Sequence, residues 1–224
     1  MPAGSPERAP AAEAQCLMVS PADANLEKRM SSISTANASS DADFEQILAL
    51  QRRYLRQALT AREQSEEGFV YLQHDAGLLR RMAAALPQAI ALADGRVVGY
   101  CLSLSTDLRR ELPGLEPMFA QFERCSYGGR PLLSYRLFVG GQVCVERDFR
   151  GQGLAGRLYH QARRSLPERY DLCVTEIAAR NRVSIASHEK VGFRPLLSYS
   201  DGTEDWVVVA WDLEQAPIDD PSRC

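Results

Sequence analysis

The chain has 224 residues, with 26 Lys and Arg against 29 Asp and Glu, for a net charge of −3. That length can bury an ample core in one domain, and mixed charge without a basic block excludes the broad cationic face that nucleic acid requires. No run of about 18 apolar residues occurs, so neither a transmembrane helix nor a membrane partner is expected. In chain order, residues 1–30 are Pro, Ala, Ser and charge without periodicity and read as a mobile tail. Met1–Ala14 lacks the apolar core of a signal peptide. Ser32–Ala38 is expected as a first strand. Ser39-Ser40-Asp41 then caps an amphipathic helix through Phe44, Ile47, Leu48, Leu50, Tyr54 and Leu55. Thr60–Glu67 is polar, Gly68–Leu72 is an apolar island, and Asp75 caps a second helix ending before Pro87. Ala89–Ala93 and Arg96–Leu104 flank Asp94-Gly95, a strong hairpin signal. Ser105–Gly141 is long for a connection. It holds a helical piece, Leu108–Phe122, broken at Pro113-Gly114, and a turn at Gly128–Pro131.

The densest stretch follows. Leu132–Val139 is β-like and extends toward Val143-Cys144-Val145, and a charged break leads into Arg150-Gly151-Gln152-Gly153. From Leu154 the pattern turns helical, with Leu154, Leu158, Ala162 and Leu166 on one face, until Pro167. A glycine turn feeding a helix start leaves backbone N–H groups free where the helix dipole is positive, so a phosphate fits there. Arg150 adds a fixed positive charge. Beyond it come a strand at Asp171–Ala178, a break at Asn181, a short helix over Val183–Lys190 closed by Gly192, and strands at Phe193–Ser200 and Trp206–Leu213. The last of these, read as an exposed edge, is a place where two copies could pair into a homodimer. A single domain over residues 31–213 is expected, with 214–224 a polar tail.

Two loop chemistries are set aside on context. A P-loop needs Lys-Ser or Lys-Thr after its glycines, and none follows. Gly151, Gly153 and Gly156 match the dinucleotide pattern G-x-G-x-x-G. That pattern should follow its strand almost at once and lead into further βαβ units, whereas here Glu146–Arg150 intervene. The run Arg150–Ala155 instead resembles the Arg/Gln-x-x-Gly-x-Gly/Ala pyrophosphate loop of the Gcn5-related N-acetyltransferase superfamily. The V-x-V strand before it and the later strand, Asn181, short helix and Gly192-Phe193 pair occur in that superfamily's order. The resemblance implies an α/β (α+β) acyl-CoA N-acyltransferase fold: a mixed, mostly antiparallel central sheet flanked by helices. It also implies acetyl-coenzyme A as co-substrate, no metal, and an amine acceptor on a small molecule or a peptide.

Acetyl transfer from a thioester to an amine requires a held donor, a polarised carbonyl and a neutral amine. By resemblance, the donor is bound by the amides of Arg150, Gly151, Gln152, Gly153, Leu154 and Ala155, by the backbone of Val143, Cys144 and Val145, and by Asn181. Glu176 stands five residues before Asn181, where N-terminal-amine acetyltransferases of the superfamily carry a base. On an otherwise apolar strand, its carboxyl would have a raised pKa. Glu146 is the second candidate base. His188 stands where many relatives carry a Tyr acid, and an imidazolium there could protonate the leaving thiolate. Asn181 also reads as a helix N-cap, and His74 and His160 read as surface residues. Cys144 has no neighbouring His or Lys to activate it as a nucleophile. Cys101, Cys144 and Cys173 read as buried apolar groups of a reducing, cytoplasmic setting. The acceptor groove is expected between residues 56–75 and 105–137, with Glu66, Glu67, Phe69, Tyr71, Tyr127, Tyr135 and Arg136 as lining.

Overall fold

The computed structural model of the chain describes residues 33–167 and 169–214. The expected N-terminal tail, the start of the expected first strand at Ser32 and the C-terminal tail from residue 215 lie outside the described residues. The first strand is β1, Ser34–Asn37. Helix α1, Asp41–Tyr54, starts where Ser40 and Asp43 cap each other's backbone N–H groups. It buries Phe44, Ile47, Leu50 and Tyr54 at helical spacing.

The polar stretch after it is itself a helix, α2, Ala61–Glu67. Without an apolar stripe its only sequence signal is the capping box Thr60-x-x-Glu63. Helix α3, Ala76–Ala85, is capped by Asp75 as expected. The hairpin of β2, Ala89–Ala93, and β3, Arg96–Ser105, turns at Asp94 and Gly95, both at positive φ (51° and 75°). The long connection holds three 3₁₀ turns, helix α4 (Glu116–Phe122) and a small hairpin of β4 (Ser126–Tyr127) and β5 (Arg130–Pro131). Then come β6, Leu137–Val145; α5, Leu154–Ser165; β7, Leu172–Ala178; α6, Arg182–Val191; β8, Arg194–Ser200; and β9, Asp205–Asp212.

Seven strands form one sheet in the order β1-β2-β3-β6-β7-β9-β8. Only β6 and β7 run parallel; the other pairs are antiparallel. A sheet with one parallel pair is not the repeated βαβ sheet of a dinucleotide-binding domain, so the glycines at 151, 153 and 156 serve another fold. Helices α1, α3 and α4 close one apolar core on one face, and α5 and α6 close a second on the other. One sequence expectation fails here. The Trp206–Leu213 strand is not an edge, because β9 lies between β7 and β8, and the edges are β1 and β8. Its almost unbroken apolar run is the pattern of a strand covered on both faces.

Strand β6 positions the site. It pairs with β3 along its length but with β7 only over Leu137–Val139. Opposite Leu102 and Ser103 stand Gln142 and Gly140, so Gly141 is an extra residue in the strand. The bulge exchanges the faces. Leu137 and Val139 point into the α1 core, whereas Val143 and Val145 beyond the bulge point into the α5 core. A Cβ at Gly140 would crowd its neighbours, meeting Cys173 Sγ at 3.2 Å and Tyr159 Oη at 3.3 Å.

Candidate active-site cleft

Beyond Val139 the parallel strands diverge, and the gap between them is the floor of a cleft enclosing about 170 Å³. Gly140–Val143 form one side and Thr175–Ala178 the other; loop residues Phe69–Leu72 stand above, with Gly114, Leu115 and the start of α4 at Pro117 and Met118. The N–H of Glu146 donates to Val98 O on β3 at 2.8 Å. Alternation along the strand therefore turns the backbone groups of Val143 and Val145 toward the gap that β7 has left. One of them is taken, because Val145 O accepts from Arg150 Nε at 2.8 Å. The N–H groups of Val143 and Val145 face the opening, as an extended ligand would need. The Cys144 side chain is buried in the α1 core, and burial pushes its thiol up to about 12, against the thiolate form a nucleophile needs.

The loop after β6 turns on two glycines. Gly151 and Gly153 have φ of 76° and 69°, and no atom lies within 4 Å of where a Cβ would stand. The glycines are required by the backbone turn and leave its amides open. Gly153 is the N-cap of α5 and supplies no side-chain cap, so the first-turn N–H groups at Leu154 and Ala155 have no side-chain acceptor.

On the other side of the cleft, Glu176 follows Val174 by two residues on the face toward α1. Its Oε2 accepts from Tyr199 Oη at 2.5 Å. Burial, more than the nearby Asp201 carboxylate, pushes the Glu176 carboxyl up to about 7, against the opposing pull of the Tyr199 hydrogen bond. Asp201, in the β8–β9 turn, is the opposite case. It accepts from Thr203 Oγ1, the N–H groups of Thr203 and Glu204, and Trp206 Nε1, which hold it far below the usual carboxylate range.

A family model described as Acetyltransferase (GNAT) family matches residues 44–193. The chain belongs to that family. Its fold is shared with solved structures at low identity. The Escherichia coli ribosomal-protein-S18-alanine N-acetyltransferase is 13% identical with a TM-score of 0.52, covering 84% of this chain and 97% of its own. The NatC complex bound to Gag peptide and CoA is 14% identical with a TM-score of 0.54, covering 80% and 98%. The yncA protein of Salmonella typhimurium, solved with its cofactor acetyl-CoA, is 18% identical with a TM-score of 0.51, covering 86% and 99%. No curated protein matched the chain in a sequence comparison.

Several residues of this GNAT chain stand elsewhere than the family pattern suggests. Arg150 does not offer a free charge to the loop. Its guanidinium turns inward to Val145 O, Glu67 O (3.0 Å) and Glu67 Oε2 (3.2 Å), and stacks over Tyr54. Glu67 also takes Arg147 at 2.7 Å, so α2 is latched to the loop. Asn181 is the N-cap of α6, accepting from Ser184 N at 3.2 Å, while its Nδ2 donates to Phe69 O at 3.0 Å. Its amide thus fastens the loop over the cleft.

Glu146, expected as the second candidate base, lies between Arg53 (2.7 Å) and Arg96, among α1 and β3 residues and outside the cleft lining, with both carboxylate oxygens in ion pairs. His188 lines the cleft with both ring nitrogens engaged. Its Nδ1–H donates to Ser184 O at 2.7 Å, Nε2 accepts from Tyr159 Oη at 2.7 Å, and burial pulls its pKa down to about 4. A neutral, doubly engaged imidazole replaces the expected imidazolium acid. His74 is not a free surface residue either. Its Nδ1 meets Gln51 Nε2 at 2.7 Å, and burial lowers its pKa to about 4.

Of the expected acceptor-groove residues, Phe69 and Tyr71 reach the cleft. Glu66 pairs with Arg62, Tyr127 donates to Asp212, Tyr135 donates to Tyr127 O, and Arg136 pairs with Asp171. Sequence reasoning missed Tyr199, Asp201, Trp206 and Gln142. Gln142, one residue past the bulge, accepts from Tyr100 Oη and Gln51 Nε2 and donates to Leu72 O at 2.9 Å. The loop over the cleft is therefore held from β6 at Leu72 and from α6 at Phe69.

Proposed function

We propose that this GNAT chain is an acetyl-coenzyme A-dependent N-acetyltransferase that moves an acetyl group to a primary amine of a small molecule or peptide by direct attack in a ternary complex. The observation that carries the reading is Glu176: a half-buried carboxyl held at about 7, opening into the same cleft as the N–H of Val143. The residues present fit the donor. The amides at Gly151–Ala155 would take its pyrophosphate, and the backbone of Val143–Val145 its pantetheine arm. Bound acetyl-coenzyme A supplies the acetyl group as an activated thioester. An N–H at Val143 stabilises charge that develops on the carbonyl oxygen.

An amine arrives as an ammonium and gives one proton to Glu176, whose pKa matches that task near neutrality. As the C–N bond forms and the C–S bond breaks, the nitrogen loses its second proton and the sulfur takes one up; Glu176 returns its own to solvent. His188 contributes packing to this scheme and no proton, so the thiolate is protonated by water. A second reading, a coenzyme A sensor without turnover, is favoured by the inward turn of Arg150 and the engaged amide of Asn181.

One experiment separates the two. Thermal unfolding with acetyl-coenzyme A, coenzyme A and NAD is followed by thiol release over a panel of amines for wild type and Glu176→Gln. Stabilisation by both coenzyme A forms, with amine-dependent thiol release that Glu176→Gln loses, supports the enzyme. Stabilisation without turnover supports the sensor, and stabilisation by NAD alone would overturn both.

A further inference from the structure

We propose that Tyr199 is the positioning residue of the acid–base centre, its hydroxyl holding Oε2 of Glu176 so that Oε1 is presented to the cleft. This rests on the reading of Glu176 as the base. The two residues lie on different strands: Tyr199 pairs across β9 with Trp206, which pairs with Ala178, two residues beyond Glu176 on the same face. The phenol reaches back across β9 to the carboxylate at 2.5 Å, and both side chains line the cleft.

No Arg or Lys lies within ion-pair distance of Glu176 among the described residues, so this hydrogen bond is the fixed point of the carboxylate. The other titratable groups lining the cleft are Asp201 from the β8–β9 turn, His188 from α6 and Tyr71 from the loop; Ser184, Asn181, Gln142, Thr175 and Trp206 add polar atoms. Asp201 is held as a carboxylate by four donors, so it opposes ionisation of Glu176, and His188 is neutral. Tyr199 is thus the contact that favours the ionised base. Burial and the adjacent carboxylate push the phenol itself well up, so it keeps its proton throughout. The proton from the ammonium goes to Oε1, and the Tyr199 hydroxyl stays donated to Oε2. A phenol that merely plugs the edge strand would make the same packing contacts without altering Glu176.

The test uses the full chain as wild type, Tyr199→Phe, and a variant carrying 3,5-difluorotyrosine at 199, a more acidic phenol of nearly the same shape. Carboxyl ¹³C NMR follows the Glu176 titration. Thiol release from acetyl-coenzyme A with tyramine, spermidine and a short peptide bearing a free N-terminus follows turnover. Tyr199→Phe is expected to raise the Glu176 titration midpoint by about one to two units. It should move the acid limb of kcat/KM the same way and lower kcat at pH 7 at least tenfold with KM for the amine nearly constant. The difluoro variant should move both in the opposite direction. An unchanged Glu176 midpoint in both variants overturns the proposal whether or not any amine is turned over. Glu176→Gln as active as wild type would instead sink the base assignment on which it rests. Loss of turnover on Glu176→Gln with none on Tyr199→Phe would sink the positioning role alone.

Discussion

Gly68 is where stability and the cleft meet. Its φ of 74° and ψ of 175° fall in a region that only glycine occupies at low cost. A Cβ there would stand 2.9 Å from Asn181 Oδ1 and 3.5 Å from Val183 Cβ. Asn181 cannot retreat without releasing either its cap on α6 or its bond to Phe69 O. Gly68→Ala should therefore cost about 1–3 kcal/mol for the backbone and about 1 kcal/mol more for a disturbed cap. In a fold of this size that lowers Tm by roughly 5–15 °C. Urea and thermal unfolding of Gly68→Ala, Asn181→Ala and the double variant measure it. The double variant should lose less than the sum, since the Cβ no longer meets an amide oxygen. Loop residues Phe69–Leu72 should shift, raising KM for the amine while stabilisation by acetyl-coenzyme A persists. A Gly68→Ala protein within about 0.5 kcal/mol of wild type, or strict additivity in the double variant, refutes the reasoning.

Gly153→Val should abolish stabilisation by acetyl-coenzyme A, which for a ligand at 100 times its Kd is about 2.7 kcal/mol in wild type; a retained thermal shift counts against the anion loop. Glu176 binds its proton more tightly folded than unfolded, so ionising it opposes folding. Glu176→Gln should gain stability relative to wild type as pH rises from 4.5 toward and past 7, by up to about 3 kcal/mol, and a difference that is flat with pH contradicts this. His74 and His188 shift in the opposite sense, to about 4, so folding stability should fall as pH drops from 6.5 toward 4. Urea midpoints of His188→Phe should show a shallower fall. Arg150→Ala should cost about 1–3 kcal/mol, with Arg150→Lys not restoring it, because the fork to Val145 O and Glu67 needs a guanidinium; full recovery by Lys in denaturant titrations would argue for a plain charge effect.

Much of the fold was legible because its signals are local. Asp94-Gly95 supplies the positive φ values of a tight hairpin, and Ser40, Asp75 and Asn181 each cap the helix that follows. Gly192 closes α6 at φ 116°. Helix α2 was missed because periodicity is silent where no side chain is buried, although Thr60 and Glu63 announced it. The edge assignment failed because strand order in a sheet is set by packing after the chain turns back, not by sequence order. Within the site, the glycine loop and Glu176 could be found from spacing and from a lone carboxylate in an apolar run. The partners of Arg150, Glu146 and His188 could not, because Glu67, Arg53 and Tyr159 are remote in sequence. Tyr199 and Asp201 sit on a hairpin whose neighbour across the sheet only the fold reveals.

The extra residue in β6 acts as a frame shift in a two-letter alphabet. Before Gly141 the odd-numbered residues read toward α1; after it they read toward α5. The backbone amides obey the same parity, which is why Val143 and Val145, rather than Gln142 and Cys144, speak to the gap beside β7. A β6 that took Gly141 into regular pairing with β3 would keep every residue that the family pattern requires, yet it would turn the amides of Gln142 and Cys144 into the opening and fold the glutamine tether of the loop onto the wrong side, whereas a chain shortened by Gly141 would keep the faces as they are. The location of the chemistry is thus written in a register offset, one residue long, that no side chain records.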